Sequence, residues 1–243
     1  MPNPQQNTSR ILLEPGFDWD GFHAYLFDID GTLITSRDRV HFSAFHSGIL
    51  AVTGLSVSLD GVPLAGNTDT AILREACRLS GHPEELVEER QKAILDAMCA
   101  YVAEHRAELD PLVLPGVPEL LAHLQRRGAR LGTGTGNLER IGWIKLQQAG
   151  LRQWFSFGGF SDRFLDRNLL IANAAAQARQ LTGQNARLCV VGDTPRDIEA
   201  ARFSSLPVIA VATGRYSFDE LAALQPEACV STLAALLATA EAE

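Results

Sequence analysis

The sequence predicts an α/β protein in which helices cover both faces of a parallel sheet. From Leu114 onward, strand-like and helix-like segments alternate along the chain, a pattern typical of parallel sheets. Before it, between Arg37 and Pro111, strand signals vanish and apolar residues recur every three or four positions, as in helices. We therefore expect a discontinuous sheet core, residues 1–36 and 112–243, interrupted by a helical cap domain, residues 37–111. The alternative is that these helices simply pack on the sheet.

The elements of the core follow in order after the first apolar run, His23–Phe27. Pro118 in a first turn, and Gly150 and Gly183 beyond last turns, indicate where helices begin and end. The segments expected are helix 116–127, strand 129–134, helix 138–148, strand 155–160, helix 168–182, strand 187–191, helix 195–203, strand 208–212 and a last strand 229–231 between two short helices.

In the cap, three segments carry apolar residues at helical spacing: 40–52, 69–79 and 84–108. Each needs its neighbours to bury an apolar face. The polar loop before the second segment, Gly66-Asn67-Thr68-Asp69, places Thr68 or Asp69 near a helix N-cap.

Composition and charge narrow the class of protein. The chain of 243 residues has a net charge of −8 and no basic stripe, which argues against nucleic-acid binding. No segment approaches the roughly 20 apolar residues that a membrane span needs. The polar segment from Met1 to Arg10 does not resemble a signal peptide, and we expect it to be mobile. The cysteines lack paired or metal-ligand spacing and are expected to be buried free thiols in a reducing cytoplasm: Cys77, Cys99, Cys189 and Cys229.

The most informative stretch is Asp28-Ile29-Asp30-Gly31-Thr32-Leu33, which follows the first strand. Asp28 and Asp30 are two residues apart and can converge on one ligand, while Gly31 allows a sharp turn. An aspartate can attack phosphorus if a divalent cation screens its charge, and a second carboxylate can carry the proton. The simpler interpretation is a surface turn.

Two further polar stretches follow predicted strands. Thr135 ends a strand in a glycine-rich turn, where its hydroxyl and the N–H groups of Gly136 and Asn137 can receive phosphate oxygens. Asp193 and Asp197 form an acidic pair after another strand. Ligands of parallel sheets bind at the carboxyl ends of strands, so all three stretches are expected at one edge.

Together, the three ordered stretches resemble the first, second and fourth motifs of haloacid dehalogenase superfamily hydrolases of the phosphatase type. The resemblance implies a Rossmann-like core with a cap inserted between the first two motifs. It also implies that Asp28 is a nucleophile forming an aspartyl-phosphate, and that Asp30 first donates and then accepts a proton. A raised pKa would help such a donor.

The same resemblance implies a Mg²⁺ cofactor. Asp193 would bind it directly, with the Asp28 carboxylate and the backbone carbonyl of Asp30, and hard oxygen ligands suit this ion. Asp197 would orient the site or bind through water. Its alternative is an ordinary aspartate in a helix first turn.

The third motif of the family usually supplies a lysine, but the only lysines here are Lys92 and Lys145, and neither follows the third strand. Arg167, just before a predicted helix, occupies the expected position, and a guanidinium can neutralise the same charge. Arg163 and Lys145 remain alternatives.

The substrate is expected to be a small phosphorylated metabolite selected by the cap. Asn67 and Thr68 would offer uncharged polar contacts, which fits a sugar phosphate. An acidic substrate such as phosphoglycolate would instead suit the arginines of the cap: Arg37, Arg39 and Arg74. The histidines His41 and His46 are expected to be packed or solvated.

The sequence thus predicts a Mg²⁺-dependent phosphatase. Three alternatives stay open: a phosphomutase on the same core, a hydrolytic dehalogenase, and a non-catalytic protein that binds a phosphorylated ligand.

Overall fold

The computed structural model describes residues 9–240. Most of the segment predicted to be mobile therefore lies outside the described residues, although Arg10 is described and its guanidinium lies 2.6 Å from Asp219. The strands are β1 (Ile11–Leu13), β2 (Ala24–Phe27), β3 (Ile34–Ser36), β4 (Pro111–Val113), β5 (Arg130–Gly134), β6 (Phe157–Gly159), β7 (Leu188–Gly192), β8 (Val208–Val211) and β9 (Ala228–Val230). The helices are α1 (Val40–Thr53), α2 (Asp69–Leu79), α3 (Glu84–Glu104), α4 (Val117–Arg126), α5 (Glu139–Gln148), α6 (Arg167–Thr182), α7 (Pro195–Phe203), α8 (Phe218–Ala222) and α9 (Leu233–Ala240).

The main sheet has the strand order β1-β9-β8-β7-β2-β5-β6. All neighbours run parallel except β1, which is antiparallel to β9. The mostly parallel sheet confirms the predicted fold class. The edge strand β1 was not predicted, because three residues are too few to show the alternation that identifies a strand.

Side chains of the central strand β2 alternate between the two faces of the sheet. Tyr25 and Phe27 pack with α4 and α9 on one face, whereas Ala24 and Leu26 pack with α6, α7 and α8 on the other. This alternation follows from the two-residue period of a strand. Helices therefore cover both faces, as predicted.

The inserted helices α1, α2 and α3 leave the core through a short strand pair. β3 pairs antiparallel with β4, from Ile34 opposite Val113 to Ser36 opposite Pro111. The three helices share an apolar cluster that also includes Leu138, just before α5, and Ile141 of α5. We propose that a cap domain spans residues 37–111, since the strand pair ends at this point.

Two predicted boundaries differ from the structure by two residues or more, and the others agree to within one residue. The third inserted helix ends at Glu104 and is followed by a 3-10 turn, Arg106–Glu108, that leads the chain back to β4. The strand expected at 155–160 is limited to Phe157–Gly159. The four cysteines are buried and free, as predicted. Within residues 9–240, the helices include none with the length and apolar character that crossing a bilayer requires.

Candidate active site

The carboxyl ends of β2, β5 and β7 open into a cavity of about 480 Å³ beneath the inserted helices. This is the edge of the sheet at which the sequence predicted a site. Most of the predicted residues line the cavity: Asp28, Asp30, Asn67, Thr135, Gly136, Asn137, Arg167 and Asp193. Thr68 and Asp197 do not line it.

Three carboxylates lie together at the base of the site. One oxygen each from Asp28, Asp193 and Asp197 lies within 4.8 Å of the others, and all three residues are buried. Asp28 directly follows β2 and Asp193 directly follows β7, while Asp197 lies in the first turn of α7. Because β2 and β7 are parallel neighbours, their ends bring the first two aspartates together.

The cluster concentrates negative charge away from water. Burial, followed by repulsion from Asp28 and Asp197, raises the pKa of Asp193 to about 8. Burial also raises the pKa of Asp28 to about 6, and Asp197 and Asp30 add to the rise while Arg167 opposes it. Buried carboxylates with raised pKa values bind a cation readily, since the cation replaces the protons.

Glycines bring the backbone unusually close to the Asp193 carboxylate. Gly31 has a φ of +86°, in the left-handed region that favours glycine. A side chain at Gly31 or at Gly214 would collide with the Asp193 carboxylate. The hydroxyl of Thr32 donates to Asp193 Oδ1 at 3.0 Å. Gly31 and Thr32 therefore fix the position of the Asp193 carboxylate. The sequence did not indicate this role for Thr32.

Arg167 is the cation of the acidic cluster. Its Nη2 lies 3.2 Å from Asp28 Oδ2 and 2.6 Å from Asp197 Oδ1. Its Nη1 also donates to the carbonyl of Gly66, in the loop before α2, at 3.2 Å. The residue is the first of α6 and is only 4% exposed. Of the described alternatives, Arg163 is exposed and does not line the cavity.

Asp197 uses both carboxylate oxygens within the protein. Oδ1 accepts from Nε and Nη2 of Arg167, at 3.1 and 2.6 Å. Oδ2 accepts from the N–H and hydroxyl of Thr194, at 3.0 and 2.7 Å, which forms a capping box at the start of α7. Asp197 therefore caps α7 and at the same time contacts Arg167.

Asp30 belongs to a separate network on the other side of the cavity. Its Oδ2 accepts from Lys145 Nζ at 2.7 Å and from Asn137 Nδ2 at 2.8 Å. Asn137 Nδ2 also donates to Thr135 Oγ1 at 2.8 Å. Partial burial favours the protonated form of Asp30, but the charge of Lys145, the hydrogen bonds from Lys145 and Asn137, and the smaller effect of His41 together outweigh it, so the pKa of Asp30 is lowered. The raised value expected for a proton donor is therefore not what this arrangement produces.

The loop before α2 contacts the turn after β5. Asp69 donates its N–H to the carbonyl of Gly136 at 2.7 Å, and its Oδ2 accepts from the N–H of Leu138 at 2.8 Å. His41 Nε2 lies 3.0 Å from the same oxygen. Asp69 is therefore a buried link between the inserted helices and the predicted phosphate-binding turn.

Thr68 has a structural role instead of the predicted substrate contact. Its hydroxyl oxygen accepts from the N–H of Ala71 as the N-cap of α2, and its hydroxyl donates to the carbonyl of Leu165. It is fully buried. Asn67, by contrast, lines the cavity.

Comparisons with known proteins agree with this geometry. A family model of haloacid dehalogenase-like hydrolases matches residues 22–204. A phosphoglycolate phosphatase of Agrobacterium fabrum is 28% identical over 216 residues, which cover 87% of this chain and 89% of that protein. A probable phosphatase of Dickeya dadantii is also 28% identical, over 89% of this chain and 93% of its own length.

Solved structures show the same fold. A putative haloacid dehalogenase-like hydrolase from Bacteroides fragilis has a TM-score of 0.65 at 19% identity, and the match covers 88% of this chain and 99% of that chain. Because the matched residues include all three polar stretches at strand ends and the inserted helices, the chain belongs to the haloacid dehalogenase-like hydrolase family.

Proposed function

We propose that this enzyme is a Mg²⁺-dependent phosphatase that hydrolyses a small phosphorylated metabolite through an aspartyl-phosphate on Asp28. The observation that carries the proposal is the position of Asp28, in a buried group of three carboxylates and 3.2 Å from Arg167. A nucleophilic carboxylate and a phosphate are both anions, so such a site needs positive charge beside the nucleophile.

The donor set fits Mg²⁺. Three buried carboxylates face a single guanidinium, which leaves an excess of negative charge, and all their donor atoms are hard oxygens. Asp28 and Asp193 would hold the ion, together with the backbone carbonyl of Asp30 that the family resemblance implies. Asp197 would act indirectly, because both its oxygens already have partners. Bound Mg²⁺ would screen the charge of the phosphate from the carboxylates.

The remaining steps belong to residues of the chain. Arg167 holds Asp28 and offers positive charge to the phosphate. The N–H groups of Gly136 and Asn137 and the hydroxyl of Thr135 would bind phosphate oxygens, as the turn after a parallel strand can do. The side chain of Asp30 is 40% exposed and its pKa is lowered, so it suits the second half of the reaction, in which it takes a proton from the attacking water. In the first half, it would have to receive a proton before donating it to the leaving oxygen.

The test is turnover of p-nitrophenyl phosphate by the purified protein, with Mg²⁺ and with EDTA. We expect turnover only with Mg²⁺ and a phosphorylated protein in acid-quenched samples. Asp28→Asn should abolish both signals without lowering Tm, whereas Asp96→Asn, on the exposed face of α3, should change neither. Turnover of Asp28→Asn within tenfold of wild type would exclude Asp28 as the nucleophile.

Phosphomutase activity is measured in the same samples. A phosphatase should release inorganic phosphate in proportion to the alcohol, whereas a mutase would pass the phosphoryl group to a sugar phosphate and release little phosphate.

A further inference from the structure

The inserted helices form one wall of the cavity, and that wall is mainly apolar. Phe42 and Phe45 of α1, Leu59 and Leu64 of the following loop, and Ile72 of α2 line it. Phe45, Leu59 and Ile72 are buried, while Leu64 is 39% exposed. The phosphate-binding groups lie on the opposite, core side, so this wall would face the alcohol portion of a phosphate ester.

The charged groups of this wall are acidic. Asp38 and Asp69 both line the cavity. The Asp38 carboxylate accepts from the N–H groups of Val40 and Asp110, at 2.9 and 2.8 Å. Asp69 accepts from the N–H of Leu138 and lies beside His41. Both carboxylates have partners within the protein, yet their charge would repel a carboxylate of the substrate.

Two of the cavity's cations are engaged on the core side. Lys145 lies 2.7 Å from Asp30, and Arg167 contacts Asp28 and Asp197. Arg215 also lines the cavity and is exposed. The pKa of Glu220 is lowered mainly by hydrogen bonds from Ser217, and to a smaller extent by the charge of Arg215.

The arginines of the inserted segment that seemed suited to an acidic substrate have other contacts. Arg37 pairs with Asp110 at 2.7 Å, and Arg74 donates to Gln91 at 3.0 Å. Arg39 lies on the ring of Phe42, 4.4 Å from its centre. None of the three lines the cavity. Residues 1–8 and 241–243, outside the described range, contain no lysine or arginine.

We infer that the preferred substrate is a phosphate ester of an uncharged, partly apolar alcohol, and that esters bearing a carboxylate are poor substrates. The inference rests on the proposed phosphatase function and concerns only its selectivity. It separates this enzyme from the phosphoglycolate phosphatases to which it is similar at 28% identity. Apolar walls bind apolar groups, and acidic side chains on the same wall disfavour an added anion.

The experiment compares matched esters on the full-length enzyme with saturating Mg²⁺. 2-Phosphoglycolate and its carboxamide have nearly the same shape and differ by one charge, and benzyl phosphate adds an apolar group. We expect kcat/KM for the carboxamide and for benzyl phosphate to exceed that for 2-phosphoglycolate at least tenfold. A kcat/KM for 2-phosphoglycolate equal to or above that of the carboxamide would overturn the inference.

A charge variant tests the wall itself. Leu64→Arg places a cation at a partly exposed position, and it should raise the ratio of kcat/KM for 2-phosphoglycolate to that for the carboxamide at least fivefold. Leu64→Gln, of similar length but uncharged, should leave the ratio unchanged, and so should Arg215→Ala. A fall in the ratio with Arg215→Ala would show that this arginine already receives a carboxylate and would contradict the inference.

The same assays distinguish a failure of the phosphatase proposal from a failure of the selectivity inference. If none of these esters, nor p-nitrophenyl phosphate, is hydrolysed with Mg²⁺, the phosphatase proposal fails and the selectivity inference fails with it. If p-nitrophenyl phosphate is hydrolysed and 2-phosphoglycolate is the best of the matched esters, only the inference on selectivity is overturned.

Discussion

In the proposed mechanism, Arg167 and Lys145 would share the role for which the family resemblance implies one lysine. Arg167 contacts Asp28, the expected nucleophile, and Lys145 contacts Asp30, the expected proton carrier. A planar guanidinium can contact two carboxylates at once, as Arg167 does with Asp28 and Asp197, whereas an ammonium is a single point of charge. We therefore expect the two cations to serve different steps of the proposed reaction.

Replacing Arg167 should cost the enzyme more than replacing its neighbours. We expect Arg167→Ala to lower kcat by roughly two or more orders of magnitude, since preorganised charge beside the transition state is lost. Arg167→Lys should restore part of the rate, because it returns the charge without the fork. kcat at saturating Mg²⁺ and Tm are measured for each variant.

Arg163→Ala, which removes an exposed arginine four residues away, is the control and should have no effect. If Lys145→Ala lowers kcat more than Arg167→Ala does, the cation that matters most for phosphoryl transfer lies on α5 and not on α6.

Substitution of Asp193 should chiefly weaken Mg²⁺ binding, whereas substitution of Asp197 should chiefly lower stability. Among residues 9–240, the Asp193 carboxylate has one hydrogen-bond donor, Thr32, whereas Asp197 has Arg167 and Thr194 on its two oxygens. Asp193→Ala should therefore raise the Mg²⁺ concentration for half-maximal activity at least tenfold. Asp197→Ala should chiefly lower stability, by about 3–5 kcal/mol, because it breaks a buried ion pair.

Mg²⁺ titrations of activity and urea unfolding of both variants check this pair of expectations. A greater loss of Mg²⁺ affinity in Asp197→Ala than in Asp193→Ala would reverse the assignment of direct and indirect roles.

At the level of elements, helix α5 depends on side chains from outside itself. Leu138, at the N-cap position, has no side-chain cap to offer, and the N–H groups of Leu138 and Glu139 donate to Asp69 and Asp162. Asp69 belongs to α2, so the inserted helices help to hold the start of α5. Since α5 carries Lys145, we expect the position of the inserted helices to affect the network of Asp30.

Removing this link should impair catalysis beyond its effect on folding. Asp69→Ala loses a buried charge-assisted hydrogen bond worth about 1–3 kcal/mol, and we expect kcat/KM to fall about tenfold. Asp69→Asn keeps an acceptor oxygen and should recover most of kcat/KM. Steady-state kinetics are measured below the Tm of each variant.

The matched control is Asp162→Ala, which removes the other acceptor at the start of α5 but leaves the contact with α2 intact. An equal loss of kcat/KM in Asp162→Ala would mean that only the capping of α5 matters, and not its link to the cap.

The elements that the sequence predicted well are those with long, regular patterns. Buried strands such as β2 and β7 are apolar throughout, and Asp28 and Asp193 directly follow them, so strand ends could be placed to within one residue. Short β1 and the β3–β4 pair were missed, because each has three residues and depends on partners distant in the chain. Their pairing is a tertiary effect that local propensity does not encode.

Residue types at the site were also predictable, but their hydrogen-bond partners were not. The sequence could place Asp30, Asn137 and Lys145 on one rim, yet it could not show that they form one network that lowers the pKa of Asp30. It also assigned Thr68 to the substrate, although the Thr68 hydroxyl is used within the protein. Such partners depend on side-chain directions that only the folded chain defines.

Across the whole molecule, the acidic cluster works against the stability of the metal-free protein. Burial and repulsion between carboxylates raise the pKa of Asp193 to about 8, and burial raises that of Asp28 to about 6, from an ordinary value of 3.8. The folded chain therefore holds these protons more tightly than the unfolded chain does. Their contribution to the free energy of unfolding is present below pH 4 and is lost as the pH rises to about 8.

Mg²⁺ should reverse this loss, and its stabilising effect should grow with pH. At pH 5.5 the ion competes with protons on Asp28 and Asp193, whereas at pH 8 Asp28 is ionised and Asp193 is partly ionised, so the competition is weaker. We therefore expect the rise in Tm on adding Mg²⁺ to be several-fold larger at pH 8 than at pH 5.5. Asp193→Asn has no proton to lose at this position, so its metal-free Tm should fall less over the same range and respond little to Mg²⁺. Scanning calorimetry at both pH values, with Mg²⁺ or EDTA, measures these differences; an Mg²⁺ effect equal or larger at pH 5.5 would contradict the linkage between the acidic cluster and the metal.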